Sequence, residues 1–219
     1  MDLTTDFFEE KEFEERSDNI LVSDLELWDI KNAHFDNIQS KLLSPGIKLF
    51  GGPRGTGKTH QMRIAYNRCI NGFDNSKVPL AVFASFGKYY RLEPYLHKAP
   101  NAITIFHTWV LCKIINGYYS LLNDIKTKND SFVFNDNEFI QSDVQDFIDK
   151  AEKVKPDELV QHHLITEISI SKVTIVLESL VKAANKKRLI LLLDDAALKF
   201  TPDYFVEFFE IIRSLKTSI

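Results

Sequence analysis

Glycine is scarce in this chain, with eight in 219 residues, and cysteine, methionine and tryptophan number two each. No apolar run approaches the ~20 residues that a helix needs to span a bilayer. The N-terminus is acidic, with Glu9, Glu10, Glu12, Glu14 and Glu15 close together. The sequence therefore reads as lacking a signal peptide and a membrane anchor. Cys69 and Cys112 sit apart in apolar helical patterns without C-x-x-C spacing, so both read as buried, reduced thiols in a cytoplasmic setting. Positive charge is not in excess either. The net charge of −4 argues against a broad nucleic-acid-binding face on this segment. What remains, 44% hydrophobic and 26% charged residues, is the ordinary composition of one globular domain with a real core.

Four of the eight glycines fall between Gly51 and Gly57. The run Gly52-Pro53-Arg54-Gly55-Thr56-Gly57-Lys58-Thr59 matches G-x-x-x-x-G-K-[ST], the phosphate-binding P-loop. The spacing has a physical reason: glycines allow a tight turn that aims several N–H groups into a nest, and the following helix adds its positive end. Lys58 is then expected to reach the β- and γ-phosphates, Thr59 to hold Mg²⁺ through its hydroxyl, and His60 to follow within the cofactor-binding stretch. Arg54, inside the loop, is a candidate for contact with phosphate, a partner or solvent. Pro45-Gly46 signals a turn and Ile47 to Phe50 is an apolar run suited to a buried strand. After the loop, Met62, Ala65, Tyr66 and Cys69 recur at helical spacing.

Residues 1–22 form an acidic arm with Phe7, Phe8 and Phe13 interleaved, read as a solvated lead-in in preference to a helix that docks on a partner. Leu25, Leu27, Trp28, Ile30, Phe35, Ile38 and Leu42 fit one or two short helices, in a region suited to covering a nucleotide base. Val78 to Ser85 is continuous enough in apolar character for a strand buried on both faces. Ile103 to Leu122 predicts a long amphipathic helix with Phe106, Trp109, Val110, Ile114 and Leu121 as its core stripe, and core packing is expected for both Trp109 and His107. From Asn123 to about residue 160 the composition turns polar, and this stretch reads as an insertion around one helix near Glu138 to Lys153. His162-His163 is a poor metal pair, because adjacent residues on a helix diverge by about 100° and no further ligand lies at the right spacing.

A helix over Ser171 to Ala184 precedes Lys186-Lys187-Arg188 and then Leu189-Ile-Leu-Leu-Leu193-Asp194-Asp195. Five apolar residues ending in a carboxylate describe a parallel strand that delivers an acid to a ligand crevice, the Walker B pattern. Asp194 is the candidate for the Mg²⁺ water shell and Asp195 for orienting or deprotonating the attacking water. Thr201-Pro202 has N-cap and first-turn chemistry, followed by Phe205, Phe208, Phe209, Ile212 and Leu215 on one face. Arg213 reads as exposed.

GGPRGTGKT with LILLLDD downstream resembles the core of the AAA+ and STAND branches of P-loop ATPases. The segment from Asp194 to Leu215 is similar to bacterial ATPases grouped with the origin-recognition, Orc-like AAA+ family. The resemblance implies an α/β fold: a three-layer αβα core around a parallel sheet in the order 5-1-4-3-2, with ATP and Mg²⁺ as ligands and a homo-oligomer or partner ATPase subunit as the assembly. In that family a fourth and a fifth strand and a helical lid follow the Walker B helix, and a DNA-binding domain often follows those. Here only strands one, two and three can be placed, so the chain reads as the N-terminal portion of a longer protein, with any DNA contact outside it. Asp195 stands where AAA+ proteins usually carry Glu. Three functions are compatible: an ATPase switch, a non-hydrolysing nucleotide-binding module, and a small-molecule kinase. The Arg-rich lid and the early substrate-binding acid of kinases do not stand out.

Overall fold

The computed structural model describes residues 33–53, 55–134, 138–153, 156–196 and 200–216. The acidic arm, Leu25 to Ile30, Arg54 and the loop signal at 135–137 lie outside the described residues. Two compact units divide between Asn67 and Arg68.

The first unit holds helix α1 (Ala33–Leu42) and most of helix α2 (Lys58–Asn71). Asp36 in the first turn of α1 and Lys41 in its last complement the helix dipole. The Pro45-Gly46 signal becomes a turn with Gly46 at φ +100°, and Lys48 Nζ bonds back to the carbonyls of Ser44 and Pro45. The strand expected over Ile47 to Phe50 is not formed: these residues carry no ladder pairing among the described residues, and Ile47 and Leu49 are 52% and 73% exposed. A four-residue apolar run becomes a strand only when a neighbouring strand accepts its hydrogen bonds, and the two strands among the described residues pair with each other.

In the second unit, β1 (Leu80–Ser85) and β2 (Leu189–Asp194) form a two-stranded parallel sheet, in register from Leu80 opposite Leu189 to Ser85 opposite Asp194. Parallel strands need a long crossover. Here it consists of α3 (Tyr89–Leu96), α4 (Ala102–Lys128), α5 (Gln141–Glu152), α6 (Pro156–Val160), α7 (Leu164–Glu167) and α8 (Ile170–Ala183), and α9 (Pro202–Lys216) follows β2. The fold is thus mixed α/β with a small parallel sheet. β1 begins two residues later than its apolar run suggests. Ile190, Leu191 and Leu193 of β2 are only half-buried, short of the two-sided burial its composition implies.

α4 is the central helix, packed against β1, α5, α8 and α9. Its expected stripe of Phe106, Trp109, Val110, Ile114 and Leu121 is buried throughout. His107 is not core: its ring bonds Glu207 Oε2 of α9 at 2.7 Å and remains about one-third exposed. Gly117 sits where α4 meets the sheet, since a Cβ there would lie 2.4 Å from the Phe83 carbonyl oxygen of β1. The polar stretch read as an insertion lays α5 on α4, burying Val144, Phe147, Ile148 and Ala151. Ser169 caps α8, its hydroxyl accepting from Lys172 N at 3.3 Å. On α9 the buried positions are Tyr204, Phe208, Ile211 and Leu215, while Phe205, Phe209 and Ile212 are half-buried, so the apolar face is turned about one residue from the expected stripe. Arg213 is exposed as expected and pairs with Glu210 at 2.7 Å.

Candidate functional site

The glycine-rich loop lies in the first unit. Gly55 and Gly57 take left-handed φ of +82° and +76°, whereas Thr56 between them does not. Alternating signs of φ turn successive backbone N–H groups toward one concave side, the geometry of an anion nest, and only glycine adopts it without a Cβ penalty. The loop is braced from within: Thr56 Oγ1 donates to Pro53 O at 2.9 Å. α2 starts at Lys58, and its first helical bond runs from Gln61 N to Gly57 O at 2.9 Å, which sets the positive end of the helix dipole at the glycine-lysine step.

Lys58 folds back over the loop, with Nζ 2.8 Å from Gly52 O and 2.7 Å from Pro53 O. Two backbone carbonyls thereby hold the ammonium at the start of the loop. Gly52, Pro53, Gly55, Thr56 and Gly57 are exposed; Lys58, Thr59 and His60 are half-buried. Gln61 is buried and accepts a 2.9 Å hydrogen bond from Gln39 Nε2, tying α1 to the first turn of α2.

The acidic pair lies in the second unit. Asp194 closes β2 opposite Ser85, is 3% exposed, and its carbonyl accepts from Phe86 N at 2.9 Å, extending the ladder one step. Asp195 then leaves the strand at φ +58°, in the left-handed region. Among L-residues with side chains, Asp and Asn enter that region most readily. This offers a backbone reason for Asp, rather than the longer Glu, at position 195. Both carboxylates stand at the carboxyl edge of the parallel pair, where ligands of open α/β sheets bind. The loop and the acids belong to different units.

Sequence reasoning missed what supports this sheet edge. Phe86, directly after β1, meets Trp109, Phe200 and Phe208 at ring distances of 5.5, 6.0 and 5.3 Å. Tyr89 packs on Phe200 at 4.8 Å and approaches Thr201 Oγ1 at 3.5 Å, and burial pushes its phenol up to about 12. The aromatics were scattered over four segments, and nothing in their spacing announced one cluster. Glu152 of α5, almost fully buried, joins Lys113 of α4 at 3.0 Å and Lys88 at the foot of α3 at 3.1 Å.

The histidine pair behaves differently from its helical reading. His162 and His163 lie in the turn between α6 and α7, so their rings stack at 4.7 Å instead of diverging. His162 Nδ1 accepts from Leu164 N at 3.3 Å, so its proton sits on Nε2, 3.2 Å from Asp146 Oδ2. Among the described residues no cluster of three or more His, Cys, Asp or Glu is placed to hold a metal ion. Cys69 and Cys112 are free and buried, and desolvation raises both thiols, Cys69 to about 12. No helix among the described residues is long and apolar enough to cross a membrane. Comparison with known proteins finds no matching family model, curated protein or solved structure.

Proposed function

We propose that the chain is the nucleotide-binding part of an AAA+ or STAND-like ATPase switch, in which Mg²⁺-ATP binding drives assembly or action on a protein or nucleic-acid partner. The observation that carries this reading is the loop from Gly52 to Lys58: a glycine nest at the start of a 14-residue helix, with a lysine ammonium folded beside it. Backbone amides, helix dipole and one fixed cation at a single point are what a triphosphate requires. Gly52 to Gly57 would cradle the phosphates with Lys58, and Thr59 would supply the hydroxyl to Mg²⁺. His60 and Arg54 complete the proposed cofactor-binding set. Asp194 would hold the metal's water shell and Asp195 would act on the attacking water.

The strand pairing supports the reading further. In the order 5-1-4-3-2, strands two and three are neighbours, and the parallel pair β1 and β2 fits that relation. The left-handed Asp195 gives some weight to a second reading, a module that binds nucleotide without hydrolysing it and uses Asp195 to turn the chain. Phosphate release from Mg²⁺-ATP decides between them. Turnover in the parent that falls in Asp195→Asn while binding persists supports the switch; binding without any turnover supports the second reading.

A further inference from the structure

The edge of the second unit where β1 and β2 begin, opposite Asp194, carries rings and charges that the nucleotide reading does not use. The turn after α2 gathers them. Lys128, at the end of α4, donates to Asn71 Oδ1 at 2.9 Å, and Lys186, just before β2, donates to Asn75 O at 2.9 Å. Phe73 in the same turn meets Phe132 edge-on at 5.2 Å, and Lys186 Nζ stands 5.1 Å from the centre of the Phe73 ring. Phe134 lies within 16° of parallel to Phe132, at 6.5 Å. Phe86 and Phe106 of the core are 0% exposed, whereas Phe73, Phe132 and Phe134 are only half-buried and Val133 is 78% exposed. Three rings and a valine grouped at the surface mark an interaction site.

Charge at this edge runs against that of the chain. The segments 68–78, 124–134 and 182–188 hold eight lysines and arginines against three aspartates, Asp74, Asp124 and Asp130, a surplus of five in a chain whose net charge is −4. The helix dipole accounts for Lys126, Lys128 and Lys182, which lie in the last turns of α4 and α8. It does not account for Lys77 and Lys187, exposed in the turns that lead into β1 and β2.

We propose that this edge binds single-stranded nucleic acid, its bases stacking on Phe132 and Phe134 and its phosphates meeting Lys77, Lys126, Lys128 and Lys187. The two kinds of group select this polymer together: phosphates answer the surplus of lysines, and unpaired bases bring flat faces to the rings. A duplex keeps its bases stacked on one another, so it meets the lysines and not the rings. A flat anionic bilayer would press on Asp74 and Asp130 as well as on the lysines, whereas a single strand can lay its phosphates on the lysines alone. The patch is local, unlike the broad face that the net charge argues against, and it shares no residue with the phosphate loop or the acid pair.

The test is fluorescence anisotropy of a fluorescein-labelled oligonucleotide of about 20 nucleotides, offered to the 219-residue chain as single-stranded DNA, as single-stranded RNA and as DNA duplex. The single strands should bind at least about fivefold more tightly than the duplex. Their affinity should fall with salt at a log–log slope of about −2 or steeper, the value for three phosphates. Phe132→Ala and Phe134→Ala should each weaken single-strand binding at least about fivefold and leave duplex binding unchanged, and Lys77→Glu combined with Lys187→Glu should flatten the salt slope by about 1.4. If circular dichroism shows that Phe132→Ala unfolds, Phe134→Ala and the lysine pair carry the test. Lys58→Ala should bind the strands as the parent does, since the phosphate loop is not the site read. No saturable binding of either single strand, a duplex bound as tightly as the single strands, affinity unmoved by the ring and lysine variants, or binding lost in Lys58→Ala each overturns the proposal. Binding to phosphatidylserine vesicles in place of the oligonucleotides overturns it too, and assigns the patch to a membrane surface.

Discussion

Replacing Gly117 with alanine probes the contact on which the second unit is built. The added methyl would lie 2.4 Å from Phe83 O, 3.0 Å from Val82 Cγ1 and 3.2 Å from Phe83 C. An ordinary contact with the carbonyl oxygen needs about 1 Å more, and the oxygen cannot give way easily, because Phe83 is paired in the ladder with Leu192. α4 must therefore lift from β1 or bend, a strain at the upper part of the ~1–3 kcal/mol range for overpacked cores. Alanine's better helix propensity offsets about 1 kcal/mol of this. A net loss of roughly 2 kcal/mol lowers the melting temperature of a chain this size by about 4–8 °C. Thermal unfolding followed by far-UV circular dichroism measures it. Ser120→Ala, at an exposed position of the same helix, should stay within about 0.5 kcal/mol of the parent. If Gly117→Ala melts at or above the parent's temperature, α4 and β1 are not in the close contact described.

Three further perturbations address other parts of the account. Burial lowers the pKa of His162, and Nδ1 is already engaged by Leu164 N. The unfolded chain therefore takes up the proton first, and this contribution to stability is complete above about pH 6.5 and falls as the pH drops from there toward the lower folded value. Urea denaturation from pH 7.5 to 5 should show a shallower loss for His162→Asn than for the parent; parallel curves would refute it. Glu152→Leu removes the acceptor shared by Lys113 and Lys88, and because Lys113 is only 15% exposed the loss should be about 2–3 kcal/mol in the same assay, below the ~3–5 kcal/mol of a fully buried pair. Position 195 is left-handed, so Asp195→Asn should keep the parent's stability while Asp195→Glu loses about 1 kcal/mol; equal stability of the two would show that φ does not select Asp there.

Elements with strong local signals were legible in the sequence. The glycine-lysine step did start a helix, Thr201-Pro202 did precede one, and LILLLD did form a strand, because caps, breakers and continuous apolar runs act within a few residues. The run at Ile47 to Phe50 has the same kind of local signal and carries no ladder pairing among the described residues, since strand formation also depends on a partner distant in the chain. His162 and His163 were judged by helical geometry, and a turn replaced the helix. The aromatic cluster around Phe86, the buried Glu152 and the Gln39–Gln61 pair all depend on contacts between separate segments, which periodicity does not encode. For the candidate site, the identities of the loop and acid residues could be read in advance. The nest at Gly55 and Gly57, the folded-back Lys58 and the left-handed Asp195 needed the structure.

Titration of the purified chain with ATP and Mg²⁺ by calorimetry, beside Lys58→Ala, tests the central claim most directly. The account predicts micromolar binding by the parent and its loss in Lys58→Ala, with far-UV circular dichroism unchanged. ATP bound as tightly by Lys58→Ala as by the parent would contradict the assignment of Gly52 to Thr59 as the phosphate site.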